Sequence, residues 1–75
     1  MTNKIFDYID EKIMRILFNE GIPLTIGELS KLAKISWITV KNHIEHLIEK
    51  GIVLFFETAT IKKVIFNFQE YGDIA

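Results

Sequence analysis

The amino-acid sequence predicts an α+β domain, mainly helical, in which three helices lead into a two-stranded β-hairpin. Two observations carry that reading. Apolar residues recur at helical spacing as far as Ile48, and after Gly51 the period changes to the alternation of a strand. Capping residues and glycines punctuate the boundaries, which separates the helical stretch into three pieces. At 75 residues the chain is expected to form a single domain, 1–75. A chain of that size buries only about 60% of the surface its unfolded form exposes. Hydrophobic residues make up 49% of it, more than so small an interior can hide, so an apolar face beyond the core is expected.

The first helix is predicted to start near Asp7 and to end at Asn19-Glu20-Gly21, where Gly21 can adopt the left-handed conformation that closes a helix and Pro23 follows. Phe6, Ile9, Ile13, Ile16 and Leu17 make one face. Ile5, Tyr8, Met14 and Phe18 form a second apolar set, which predicts burial on more than one side. Thr25 followed by Glu28 is a capping box, so the second helix starts at Ile26. It turns Leu29, Leu32 and Ala33 inward and ends around 33–35. A brief edge strand over 24–26 is expected just ahead of it. Ser36 caps the third helix, whose inward stripe is Val40, Ile44, Leu47 and Ile48, and Lys50 and Gly51 close it. The connection Ala33-Lys34-Ile35-Ser36 leaves room only for a tight turn, so the second and third helices cross steeply, as in a helix-turn-helix over about 25–50. The hairpin follows over about 52–68, as "IVLFFE" and "KKVIFNF" around a polar segment at 58–60. Val64, Phe66 and Phe68 are expected to face the core and Lys63, Ile65 and Asn67 the other side. The acidic tail from Gln69 onward is expected to fray.

Charge and chemistry narrow the function. The net charge is −1, yet 29–44 holds Lys31, Lys34 and Lys41 with no acid, and 58–69 holds Lys62 and Lys63 with none. A near-neutral protein can present a local basic face, and a polyanion responds to that local potential. The absence of cysteine removes disulfides, thiolate nucleophiles and cysteine zinc sites. His43 and His46 share a helix face that Glu49 continues, but no third strong ligand lies near them in sequence, so no metal site is expected. No nucleophile and base stand together and no Gly-rich phosphate loop occurs, which predicts neither an enzyme nor a cofactor. With no bilayer-length apolar run and no signal-peptide pattern at the N-terminus, a cytoplasmic protein without a membrane partner is expected.

The order helix, short strand, helix, helix, hairpin is that of a winged helix-turn-helix. The stretch "TIGELSKLAKISWITVKNHIEHLIEKGIV" resembles the DNA-binding core of ArsR and MarR type transcriptional regulators of bacteria and archaea. Glu28-Leu29-Ser30, Thr39-Val40, His43-Ile44 and the close from Leu47 through Gly51 to Val53 carry the likeness. Where those regulators often place arginine at the wing tip, this chain has Lys62 and Lys63. The resemblance implies a small regulator, a repressor in the simplest case, that binds double-stranded DNA as a homodimer. Surplus apolar residues of the first helix, with Leu54, Phe56 and Ile65, would supply the dimer surface.

With Val40, Ile44 and Leu47 inward, the third helix turns Trp37, Ile38, Lys41, Asn42 and Glu45 toward the major-groove side. Asn42 suits adenine, Lys41 suits guanine or a phosphate, and Trp37 and Ile38 suit thymine methyls. Ser36 and Thr39 suit phosphate oxygens, and Lys31, Lys34, Lys62 and Lys63 the flanking backbone. The exposed Trp37 and Ile38 equally fit a second reading, a winged helix used as a protein-interaction module in a larger assembly.

Overall fold

The computed structural model describes residues 6–71. Its elements are α1 (Tyr8–Glu20), α2 (Ile26–Ala33), α3 (Trp37–Glu49), β1 (Val53–Glu57), β2 (Lys62–Phe66) and α4 (Phe68–Tyr71). Three helices followed by an antiparallel hairpin make a winged helix, as the sequence predicts.

Each boundary has a local cause. Asp7 caps α1 by accepting the Asp10 amide at 2.8 Å, while the Asp10 carboxylate accepts the Asp7 amide at 3.2 Å. Thr25 and Glu28 repeat that reciprocal arrangement at the start of α2. Gly21 closes α1 with φ 69°, a left-handed conformation that is strained for residues carrying a Cβ. The turn from α2 into α3 uses the same conformation without a glycine. Lys34 has φ 59° there, the one positive φ outside glycine among the described residues. Ser30 secures the turn: its carbonyl accepts the Ile35 amide, and its hydroxyl donates to the Ile35 carbonyl.

The core sits where the three helices meet the base of the hairpin. It contains Ile13 and Leu17 from α1, Leu24, Leu29, then Val40, Ile44 and Leu47 from α3, and Ile52, Val53, Val64 and Phe66. The hairpin pairs Val53 with Phe66 through Glu57 with Lys62. On its other edge β2 meets Leu24, with both amide–carbonyl bonds at 2.8 Å. The expected edge strand ahead of α2 is thus a one-residue bridge, and β2 is the middle of the sheet.

Four expectations are corrected. Leu32 is 49% exposed: at about 100° per residue it lies to one side of the Leu29–Ala33 line by which this two-turn helix packs. The second apolar set of α1 is only partly buried, because Met14 packs against the core whereas Tyr8 is 68% exposed. The alternation of β2 does not extend to Phe68. The chain leaves the strand at Asn67, which is buried; its side-chain nitrogen donates to the Gly51 carbonyl and its side-chain oxygen accepts the Glu70 amide. Phe68 therefore opens α4 and stacks beside Phe18 and Phe66, at centroid distances of 5.5 and 5.0 Å. The start of the tail is helical rather than frayed as far as Tyr71. Residues 72–75 of the tail, and Ile5, lie outside the described residues.

Candidate nucleic-acid interface

α3 is the element around which the candidate site is built. Ser36 caps it by accepting the Thr39 amide, and its hydroxyl donates to the Thr39 oxygen at 2.9 Å. This fixes the first turn with amides open to solvent, where oriented N–H groups favour phosphate oxygens. Both hydroxyls already serve the cap, so a phosphate here meets a partner that is held in place.

Viewed down α3, at about 100° per residue, the inward stripe of Val40, Ile44 and Leu47 leaves Ile38, Asn42, Glu45 and Glu49 on the outermost face. Ile38 is 56% exposed and Asn42 is exposed. Trp37 and Lys41 lie on the flank between that face and the hairpin. There Trp37, 49% exposed, borders a groove of about 600 Å³ with Lys41, Ile44 and Ile48 of α3, Thr25 at the cap of α2 with Ile26 and Gly27 after it, and Phe55 and Lys62 of the wing. The structure therefore brings together Trp37, Lys41 and Lys62, while Ile38 and Asn42 crown the helix beside them. Lys41 is engaged with Glu45 at 2.9 Å, a surface pair one helical turn apart. Such pairs contribute only about 0.3–0.5 kcal/mol, so a phosphate or a guanine can displace Glu45.

The remaining lysines divide between α2 and the wing. Lys31 and Lys34 are exposed at the end of α2. Lys63 and Lys31 both act on the charge of Glu28. The Glu28 carboxyl is held below the usual glutamate range chiefly by the donating Thr25 amide, which outweighs desolvation, with lesser help from the Thr25 side chain, Lys63 and Lys31. Part of the basic potential of Lys31 and Lys63 is accordingly offset by Glu28, an acid that falls one residue outside the acid-free window at 29–44.

The opposite flank of α3 holds what sequence reasoning missed. Asp10, only 3% exposed, reaches from α1 to His43, whose Nδ1 lies 2.7 Å from the Asp10 Oδ1. The His46 Nε2 is 3.9 Å from the other Asp10 oxygen, and the His43 Nδ1 is 3.7 Å from Asp7. The signal was indirect, an acid three residues into a helix beside an apolar face, and its histidine partner stands far along the chain.

Comparison with known proteins agrees with this geometry. Residues 6–53, covering α1, α2 and α3, match the family of winged helix-turn-helix DNA-binding domains. No match is found among curated proteins. Among solved structures, the ST1889 protein of the thermoacidophilic archaeon Sulfolobus tokodaii is similar, with 25% identity and a TM-score of 0.76 over 87% of this chain and 67% of that one. The exposed start of α3, the lysines of α2 and the wing, and the family match over the helical unit converge: the chain belongs to the winged helix-turn-helix DNA-binding family.

Proposed function

We propose that this chain is a sequence-specific double-stranded DNA-binding regulator of transcription, acting as a homodimeric repressor, with α3 in the major groove and the hairpin over the backbone or the minor groove. The observation that carries the reading is the outer face of α3. It presents Ile38 and Asn42 beside Trp37 and Lys41, directly opposite a stripe committed to the core. Asn42 then pairs with adenine, Ile38 and Trp37 meet thymine methyls, and Lys41 exchanges Glu45 for guanine or a phosphate. Ser36 and Thr39, with Lys31, Lys34, Lys62 and Lys63, serve the backbone, where they set affinity and register rather than sequence choice. Repression follows from occupancy of a promoter.

The dimer half of the reading draws on the outer face of the hairpin. Leu54 and Phe56 are exposed there, and Ile65 lies cross-strand from Leu54. Two copies joined through this face and the exposed part of α1 would present their third helices to half-sites about 10 base pairs apart. The non-enzymatic, cytoplasmic character expected from the sequence is part of the same proposal, as is the treatment of 1–75 as one domain.

Fluorescence anisotropy over a pool of duplexes at several salt concentrations tests it. One duplex should be preferred, with affinity falling steeply as salt rises. Asn42→Ala should weaken the preferred duplex by about 1–3 kcal/mol and relax one base position, whereas Lys63→Ala should weaken all duplexes alike and reduce the salt slope by about 1. Equal binding of every duplex by the parent chain and by Asn42→Ala would overturn the assignment of α3. The apolar groove beside Trp37 favours the second reading, a protein-interaction module. A complete lack of DNA binding at low salt would select it.

A further inference from the structure

We propose that the junction of α1 and α3 is a binding site for a borderline divalent transition metal of the Zn²⁺ class, with Asp7, Asp10 and His43 as ligands and His46 closing the fourth position. The side-chain donor atoms of Asp7, Asp10 and His43 all lie within 4.8 Å of one another. His46 stands on the same side of α3 one turn later, with its Nε2 3.9 Å from the Asp10 Oδ2. Two imidazole nitrogens and two carboxylates are the mixed donor set that suits this ion class, whereas oxygen-only cages suit calcium or magnesium.

Geometry supports the set beyond mere proximity. Bonds of about 2.0–2.2 Å in a tetrahedral site put neighbouring donors roughly 3.4 Å apart. The Asp7–His43 separation of 3.7 Å is near that spacing, whereas His46 approaches only the Asp10 Oδ2, at 3.9 Å, and has to turn toward the three-residue cluster to complete the set. Only the Asp10–His43 contact at 2.7 Å is shorter, and there a proton occupies the place the ion would take. Entry of the metal displaces that proton from the His43 Nδ1, leaves its lone pair on the ion, and releases a proton to solvent or to the other ring nitrogen.

The donors come from two packed elements and are braced from behind. Asp10 is buried and one of its oxygens receives the Asp7 amide, so its orientation is set by the cap of α1. The ring of Phe6 lies edge-on to His46 at a centroid distance of 6.4 Å. The Nε2 of His46 has no hydrogen-bond partner among the described residues and lies 3.9 Å from the Asp10 Oδ2, the oxygen that accepts the Asp7 amide. Bound metal would fasten α3 to α1 on the side away from the groove, and this inference does not depend on the DNA reading.

Co²⁺ titration of the full chain, followed by visible absorption and by thermal unfolding without DNA, tests the site. One equivalent should produce the ligand-field band of a four-coordinate ion and raise Tm, and Zn²⁺ should displace the band. Asp7→Asn keeps a good N-cap but weakens a ligand, and half-exposed His46→Gln leaves the core intact. Each should weaken binding at least about tenfold, since even partners behind the ligands are worth about 10–100-fold. Absence of the band and of any Tm rise, or binding unchanged in both variants, would overturn the proposal.

Discussion

The two flanks of α3 differ in what they offer a neighbour. Toward α1 the helix presents His43 and His46 to a buried carboxylate, and the contact is directional. Toward the wing it presents Trp37 and Ile48 across an open groove to Phe55, and the contact is apolar and incomplete. A buried carboxylate must be matched by a donor, because an unmatched one costs far more than a hydrogen bond contributes. An apolar groove open to water forfeits the gain of burial but leaves no polar group unmatched. One flank therefore sets the position of the helix, and the other is left available to whatever approaches it.

Perturbing the stripe between the flanks should have the largest effect. Leu47→Ala, at a fully buried site, should destabilise by about 3 kcal/mol in denaturant titration, loosening both flanks together. Asp10→Ala affects the directional flank alone: it removes half of the α1 capping box and the partner of His43, and should cost about 2 kcal/mol. If it cost no more than a surface substitution, the difference between the flanks would be lost. Lys34→Gly acts at the turn that launches α3 and should stabilise by about 0.5–1 kcal/mol, since glycine removes the left-handed strain but adds unfolded-state entropy. Trp37→Ala should change stability least, within about 0.5 kcal/mol, as expected for a surface position. It should still alter duplex binding in the anisotropy titration, which separates availability from structural need.

A further small effect appears only in acid. Because the Glu28 pKa is lowered in the folded chain, its contribution is present above the unfolded pKa and is lost as pH falls through the folded one. Glu28→Gln should therefore flatten the acid limb of the stability profile slightly while keeping a capping box, as a pH series of thermal melts would show.

How much of this was legible in the sequence follows from the range of each interaction. Thr25 with Glu28, Ser36 as a cap, Gly21 and Gly51 act within a few residues, and the structure places them as read, adding that Ser36 engages Thr39. Lys34 was not legible as a left-handed residue because no side-chain chemistry marks it. Leu32 and Phe68 were misread by extending a period past the point where packing or the strand ended. Of the candidate site, the exposure of Ile38 and Asn42 was predictable from helical phase alone, whereas the groove beside Trp37 required the hairpin to be in place. Asp10 and His43 meet from 33 residues apart, and periodicity carries no information at that distance.

The anchoring of the hairpin has a mechanical consequence. At its base, the Asn67 amide donates to the Ile52 carbonyl and the Asn67 side chain holds Gly51, while Leu24 and Val64 exchange two backbone bonds. From Glu57 to Lys62 the described hydrogen bonds join the hairpin only to itself. The wing is thus a cantilever clamped at one end, and its fulcrum lies beside the Val64 wall of the groove. The Lys62 tip is therefore held, as far as described hydrogen bonds go, by the pairing of the two strands and by the clamp at Gly51, Ile52 and Val64, with none to the helices.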